Sequence, residues 1–295
     1  MVAYDTGWWE FDNSPPNDYL IDQADHDDFD PAGDFTVMML VEEMTQSTNG
    51  VHGIVGKYSQ GLGEEGGWDV NYYGSTATMY PGGIWFRTGK RGTHYTDLRL
   101  HTPGPMLTER KVLIVCSYKW ISDGTSIMRI VTYDAVNGKL SAQVTNAYGP
   151  VANTSYKLRM GNTRSYVAPT GKYYWCGFYD GVVISDADIL EVWNETKHPV
   201  DDFNPTVLNY FCQDVGSTYT ADVGTGANAP YIFDVQGTPL KGGTCTANDT
   251  AILGHQFGIQ LPSSNILGHQ FTVLKKLKRY RSLSFRDRIT FKRTI

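Results

Sequence analysis

A loop near the N-terminus concentrates carboxylates in a pattern that suggests cation chemistry. Asp25, Asp27, Asp28 and Asp30 lie within the acidic stretch DHDDFDPAGD. Ca²⁺ prefers about six to eight oxygen ligands, and carboxylates are its usual protein donors. The spacing matches no EF-hand loop, so we expect a solvated acidic loop and no cofactor, with a Ca²⁺ site as the alternative.

Three aromatic residues are candidates for binding a sugar ring. Trp68, Tyr72 and Tyr73 lie in the segment GGWDVNYYG, residues 66–74. Rigid rings with an apolar face and a polar edge are suited to stacking on a saccharide. The same segment has the composition of a strand, in which packing in the core or on a sheet face is the alternative role.

Side chains suited to catalysis or metal binding are not grouped in this sequence. Glu42 and Glu43 are adjacent, so in a strand they point to opposite faces of the sheet. His255 and His269 recur within a duplicated hexapeptide, ILGHQF, and repeated structural docking explains them better than a metal pair. The four cysteines are far apart and lack a CxxC spacing, which argues against zinc. We therefore expect no catalytic residues and no enzymatic activity.

The C-terminus is strongly basic and also periodically apolar. Residues 275–293 hold nine Lys and Arg and one acid, a net +8 that leaves −14 on the rest, because the whole chain carries −6. Leu, Phe and Ile alternate with the charges, as in a strand that adds to another protein's sheet. We predict docking on a partner, with nucleic-acid binding or a tail packed on its own chain or disordered as alternatives. The predicted docking residues are Lys275, Lys276, Leu277, Lys278, Arg279, Arg281, Leu283, Phe285, Arg286, Arg288, Ile289 and Phe291.

The elements that would carry these residues are almost all strands. About ten apolar or alternating segments of strand length are separated by short turn-like gaps, and Asn137-Gly138 is a strong hairpin signal. This pattern predicts an all-β, two-sheet sandwich or jelly roll. The strand-like segments are 35–43, 51–59, 66–74, 84–89, 94–100, 111–120, 126–135, 139–145, 156–162, 175–185 and 207–213.

One strand leads directly into a short helix. In YYWCGFYDGVVISDADILEVWN, residues 173–194, Ser185 is a good N-cap and Asp188 is its partner in a capping box. Pro199 prevents the helix from continuing far. We expect one or two helical turns that close one end of the sandwich.

In this order, several segments resemble a laminin G-like, concanavalin A-like jelly-roll domain. YLIDQADHDDFDPAGDFTVMMLVEE is similar to the opening of that domain, and GIVGKYSQGLGEEGGWDVNYY to its next pair of strands. KVLIVCSYKW and MRIVTYDAVNGKL are similar to its central pair, and the strand-to-helix segment resembles its closing signal. The resemblance covers roughly residues 15–196.

The resemblance also bears on function. Retaining glycosidases of this fold carry a Glu-x-Asp-x-x-Glu string, which this sequence lacks. LNYFCQDVGSTYTADVGTGANAP resembles a segment that accompanies such domains in virion proteins of tailed bacteriophages. The resemblance implies a non-enzymatic virion structural protein, most simply a capsid decoration or cement protein. The alternative is a carbohydrate-binding, lectin-like module for host recognition, associated with a tail or fibre.

These inferences define four regions and a set of partners. We predict an N-terminal arm (1–14), a jelly roll (15–200), a Gly/Thr-rich extension packing on it (201–249) and a basic docking arm (250–295). The expected partners are the major capsid or tail protein, further copies of the chain and a host surface glycan. Nucleic acid is not expected, and no segment has the roughly 20 apolar residues of a membrane span. The expected location is the virion, assembled in the host cytoplasm.

Overall fold

The computed structural model describes most of the predicted jelly roll and part of the extension. The described residues are 8–11, 19–22, 27–31, 33–45, 50–59, 66–74, 77–90, 94–100, 110–161, 163, 170–199, 202–214, 219–222, 232–236 and 240–242. By compactness the chain divides into one unit up to Gly254 and a second from His255 onward. The predicted docking arm (250–295) lies outside the described residues.

The described elements are nearly all strands. They are β1 (Trp8–Phe11), β2 (Tyr19–Asp22), β3 (Phe35–Thr45), β4 (Val51–Ser59), β5 (Gly66–Tyr73), β6 (Ile84–Lys90), β7 (His94–Leu100), β8 (Lys111–Lys119), β9 (Ser126–Asp134), β10 (Gly138–Ala147), β11 (Arg159–Met160), β12 (Thr170–Asp180), β13 (Val207–Asp214), β14 (Tyr219–Asp222), β15 (Ile232–Gln236) and β16 (Leu240–Gly242). A 3₁₀ turn covers Asp27–Phe29, and helix α1 covers Asp186–Trp193. None of the helices in these ranges has the length and hydropathy needed to cross a membrane.

The strands form two antiparallel layers that face each other. One layer has the order β10-β9-β8-β3-β12, and the other has the order β11-β4-β5-β6-β7. Strands β13, β14, β15 and β2 link the layers along one side, while β7 contacts β9 and β10 along the other. The predicted all-β jelly-roll sandwich is therefore confirmed.

The core lies between the layers because side chains alternate along each strand. Val37 and Ile114 face inward from the first layer, and Trp68 and Phe86 face inward from the second. The Trp68 ring stacks on Phe178 with centroids 5.1 Å apart and an interplanar angle of 8°. Burying one such side chain contributes about 1.5–3 kcal/mol, so this interface is the main source of stability.

Helix α1 begins at the predicted N-cap, but it packs on the outer side of the first layer and not at the end of the sandwich. Ser185 is its N-cap, and the Ser185 hydroxyl accepts a hydrogen bond from the Asp188 amide at 3.2 Å. Ile189 and Val192 then pack with Leu113 of β8 on the outer side of the first layer. The prediction that the helix closes an end of the sandwich is wrong. Strands β8 and β9 are apolar on both faces, and the helix supplies the cover for their outer face.

The predicted N-terminal arm and extension are both built into the sheet where they are described. Strand β1 pairs with β12 on one side and with β16 on the other, and Trp9 and Phe11 are fully buried. Over residues 8–11 the chain is thus a core strand and not an arm. Within 201–249, β13 pairs with β12 and β15 pairs with β2, so this region continues the sheet.

A buried ion pair joins the acidic loop to the second layer. The Lys57 ammonium of β4 contacts the Asp30 carboxylate, and both side chains are almost completely buried. The Thr154 amide also donates to Asp30, at 3.2 Å. Next to this pair, the Trp68 indole N–H donates to the Phe29 carbonyl at 2.9 Å. The loop is therefore fixed by polar contacts inside the sandwich.

We expect Lys57→Met to lower the free energy of unfolding by about 3–5 kcal/mol, because Asp30 stays buried without this cation. Lys90→Met is the matched control. It removes a pair with Asp123 in which the two side chains are 37% and 47% exposed, so its effect should be at most about 1 kcal/mol. Urea unfolding followed by tryptophan fluorescence measures both values. An equal decrease in the free energy of unfolding in the two variants would contradict a structural role for the Lys57–Asp30 pair.

Candidate functional site

The outer side of the second layer carries an ordered set of charged and aromatic residues. Val70, Phe86 and Leu98 face the core, so the alternate positions of β5, β6 and β7 face outward. In the register of these strands Asp69 lies beside Arg87, and Arg87 lies beside Asp97. Opposite charges on neighbouring strands attract, so this row also stabilises the pairing of the strands.

A second row lies one step along the same strands. It consists of Asn71, Trp85 and Arg99, which are paired across β5, β6 and β7. Tyr73 continues this surface, and the Arg99 Nε donates to the Tyr73 hydroxyl at 2.9 Å. The two rows together place two guanidinium groups and an indole on one sheet face.

Asp97 is the central acceptor of this face. Its Oδ1 accepts from the Trp85 indole N–H at 3.0 Å and from the Arg87 Nε at 2.8 Å. Its Oδ2 accepts from the Arg99 Nη2 at 3.2 Å. One carboxylate therefore fixes the orientation of both guanidinium planes and of the indole between them.

Each guanidinium also lies close to aromatic rings. The Arg87 guanidinium carbon lies 3.9 Å from the centroid of the Trp85 ring and 5.3 Å from that of Tyr95. The Arg99 guanidinium carbon lies 5.4 Å from Trp85 and 5.6 Å from Tyr80. Cation–π contacts of this kind contribute about 0.5–1 kcal/mol at exposed sites and more when desolvated. Each guanidinium is therefore held by aromatic contacts as well as by Asp97.

The face is closed at its centre and open toward β7. Trp85 is 5% exposed and Arg87 is 9% exposed, whereas Tyr95 is 44% exposed. The Arg99 side chain is 32% exposed. A ligand can thus contact Tyr95 and Arg99 directly, with the Arg87 guanidinium below them.

Two groups on this face have shifted pKa values, the Tyr73 hydroxyl and the Arg87 guanidinium. Burial raises the pKa of Tyr73, against an opposing effect of Arg99, so its hydroxyl stays protonated. Burial alone would lower the pKa of Arg87, but the Asp69 and Asp97 carboxylates outweigh it and raise that pKa. The guanidinium is therefore permanently charged.

Toward β4 the same face is covered by the chain itself. The Thr163 hydroxyl donates to Asn71 Oδ1 at 2.9 Å. Thr163 also lies directly over Gly53, where an added Cβ would come within 2.2 Å of its Oγ1. Only a glycine at position 53 allows this approach. A close contact between the Gly53 backbone and Thr163 therefore covers this side of the face.

The predicted glycan-binding residues do not form one surface. Trp68 and Tyr72 are completely buried, and both point into the core with Val70 between them. Tyr73 points outward and packs on Trp85, with ring centroids 5.8 Å apart. The prediction that Trp68 and Tyr72 bind a glycan is therefore corrected. Side chains alternate between the two sides of a strand, so positions 68 and 72 lie on the inward side and position 73 lies on the outward side.

The described carboxylates at the start of the acidic loop lie in three different environments. Asp27 is exposed, Asp28 is half-buried and Asp30 is buried against Lys57. Asp25 lies outside the described residues. Within the described ranges, no three His, Cys, Asp or Glu side chains are grouped closely enough to hold a metal ion. The described part of the loop thus acts as a structural connection.

The docking residues from Lys275 to Phe291, and both histidines of the duplicated hexapeptide, lie outside the described residues.

The face on β6 and β7 was not predicted from the sequence, although the sequence held a signal for it. IWFRTGK and HYTDLRL both alternate, and their outward positions are occupied by Trp85 and Arg87 in one strand and Tyr95, Asp97 and Arg99 in the other. A hairpin whose solvent side carries aromatic residues and paired opposite charges differs from the ordinary polar face of a sandwich strand.

Comparison with known proteins gives only distant similarity. No protein-family model matches the chain, and no curated protein sequence matches it. A SAP-like pentraxin structure from Limulus polyphemus is 8% identical, with a TM-score of 0.48 over 83% of this chain and 100% of the pentraxin. The CBM40 domain of the Ruminococcus gnavus IT-sialidase is 12% identical, with a TM-score of 0.40 over 64% of this chain and 94% of that domain.

A third similar structure comes from a virus. The enzymatically active domain of bacteriophage CBA120 tailspike protein 2 is 14% identical, with a TM-score of 0.42 over 70% of this chain and 32% of the tailspike chain. Similarity at this distance concerns the fold and assigns no residue a role. The candidate face is therefore defined by its own geometry.

We expect Asp97→Ala to lower the free energy of unfolding by about 1–3 kcal/mol, because it removes the shared acceptor of Trp85, Arg87 and Arg99. Asp97→Asn keeps an oxygen acceptor and should lose less than the alanine variant. Chemical denaturation of the three proteins gives the comparison. If Asp97→Asn and Asp97→Ala were both as stable as the unmodified chain, Asp97 would not organise the face.

Proposed function

We propose that the chain is a non-enzymatic, lectin-like module that binds saccharides on the outer side of β5, β6 and β7. The jelly-roll sandwich supplies a rigid sheet, and the outward positions of this sheet carry aromatic rings together with hydrogen-bonding groups. Saccharides are recognised by this combination, because their C–H faces pack on rings and their hydroxyls require polar partners.

One observation carries the proposal: an exposed aromatic residue lies beside guanidinium groups whose positions are already fixed. Tyr95 is 44% exposed, and its ring lies 5.3 Å from the Arg87 guanidinium. Because Asp97 holds Arg87 and Arg99 in place, little conformational entropy is lost when a ligand binds.

The contacts of three carboxylates support a binding function over a catalytic one. Asp97 is engaged by Arg87 and Arg99, and Glu43 accepts from the Lys172 ammonium at 2.7 Å. Glu42 accepts a hydrogen bond from the Tyr174 hydroxyl. Acid–base hydrolysis of a glycoside requires two carboxyl groups that face a common substrate, and these carboxyls face cations or a phenol instead.

A second candidate role, as a virion structural protein, is favoured by the charge division of the sequence. Residues 275–293 carry +8 and the remainder of the chain carries −14. A basic, periodically apolar arm is suited to a groove on an acidic capsid or tail surface. With the laminin G-like resemblance, this supports an arm-anchored capsid decoration protein or a tail-associated module. The two roles are compatible, since one uses the sheet face and the other the arm.

A glycan array probed with the purified full chain tests the saccharide-binding proposal. We expect saturable binding, and we expect Tyr95→Ala to weaken it about tenfold, equivalent to about 1.4 kcal/mol. Leu190→Ala is the control, because Leu190 is exposed to a similar degree (42%) but lies on α1, on the opposite layer. An array run with chelator shows whether Ca²⁺ takes part. Absence of saturable binding to any glycan would refute the proposal.

Deletion of residues 250–295 tests the anchoring role. We expect the truncated chain to keep the fold of the sandwich and to lose incorporation into particles, because the arm would provide the contacts with the partner. Particles assembled with each form and analysed by gel electrophoresis give the result. Normal incorporation of the truncated chain would exclude the arm as the anchor.

A further inference from the structure

We infer that Arg87 and Arg99 recognise the carboxylate of an acidic saccharide, such as a uronate residue. This inference deepens the proposed function and rests on it, because it names the ligand class of the same face. It is carried by the hydrogen-bonding capacity that the two guanidinium groups retain within the structure.

Arg87 is deeply placed but only partly satisfied. Its side chain is 10% exposed, and within the described part of the chain its one hydrogen bond runs from Nε to Asp97. The terminal nitrogens of Arg87 make no hydrogen bond with any described residue. These nitrogens therefore keep N–H donors that an acceptor on a ligand can use.

Arg99 extends the same set of donors to the surface. Its Nε donates to Tyr73 and its Nη2 to Asp97, and among the described residues Nη1 makes no hydrogen bond. The side chain is 32% exposed and lies over the Trp85 and Tyr80 rings. Arg99 is therefore the more accessible of the two guanidinium groups, and Arg87 lies deeper in the site.

The charges around these groups favour a singly charged, planar ligand group. Asp69 and Asp97 flank Arg87, so two carboxylates already balance two guanidinium groups. A doubly charged phosphate would add excess negative charge beside Asp69 and Asp97. A carboxylate adds one excess negative charge where a phosphate adds two, and its planar geometry matches the parallel N–H donors of a guanidinium.

Aromatic residues flank the guanidinium groups at both ends. Tyr95 lies beside Arg87, and Tyr80 lies beside Arg99. Tyr95 and Arg99 are four residues apart on β7, which corresponds to about 14 Å along a strand. A short oligosaccharide laid along β7 would place one ring on each tyrosine and its acidic group over Arg99.

Isothermal titration of the full chain with oligogalacturonate, its carboxyl-reduced form and a sulfated form of that reduced oligosaccharide tests the inference. We expect the uronate to bind at least about tenfold more tightly than the reduced form, and added NaCl to weaken the binding of the uronate but not that of the uncharged reduced form. The sulfated form should bind less well than the uronate because its anion is tetrahedral. These three comparisons need no variant, so they hold whether or not any substitution is tolerated.

Arg99→Lys then locates the effect, since lysine keeps the charge and loses the paired donors. We expect about a tenfold loss of uronate affinity and less than about a twofold change for the reduced form. Arg129→Lys on the opposite layer is the control and should change neither. Equal affinities for the uronate and the reduced form, or tighter binding of the sulfated form, would overturn the inference while leaving saccharide binding intact. If none of the three ligands bound and the array were also blank, the proposed function would fail as well.

Discussion

The alternation of side chains along each strand is the constraint on which the rest of this structure depends. The inward positions of both layers are committed to one apolar interface, which includes Trp68 stacked on Phe178. The outward positions must therefore be stabilised by other means, and the two layers differ in how this is done. The first layer has apolar outward residues such as Leu113, which α1 covers. The second layer has charged and aromatic outward residues, which pair with one another.

Rows of opposite charge occur on the outer side of both layers. In the first layer, Glu10 of β1 lies beside Lys172 of β12, which lies beside Glu42 of β3, which lies beside Lys111 of β8. In the second layer, the row of Asp69, Arg87 and Asp97 repeats the pattern with arginine in place of lysine. Slipping a strand by one residue would bring like charges or apolar groups together, so these rows help to fix the register. Arginine adds planar, paired donors that lysine lacks.

Local signals in the sequence predicted the elements well. The hairpin at Asn137-Gly138 is present, with Gly138 at φ 64°, the left-handed conformation that glycine adopts readily. The N-cap at Ser185 is present because a capping hydrogen bond involves residues only three positions apart. The segment YKLRMGN contributes only the short strand Arg159–Met160, since strand length depends on neighbours that a local pattern does not contain.

Tertiary placement was harder to predict than local structure. The final position of α1 depended on which side of β8 and β9 required cover, and both sides are apolar in the sequence. The aromatic residues of β5 were grouped by proximity in the chain, although Tyr72 and Tyr73 lie on opposite sides of the sheet. The face around Asp97 joins three strands, and only their register shows that one carboxylate serves Trp85, Arg87 and Arg99.

Helix α1 covers apolar residues on the outer side of the first layer, whereas the outer side of β7 in the second layer is exposed at Tyr95. Under the proposed function, a molecule packed on the α1 side would leave the outer side of β7 accessible, whereas a molecule packed on β7 would cover it. Under the proposed function, copies attached to a surface would bind saccharides only with the outer side of β7 turned away from that surface. Close spacing of such copies would then convert weak individual contacts into avid attachment to a repetitive target.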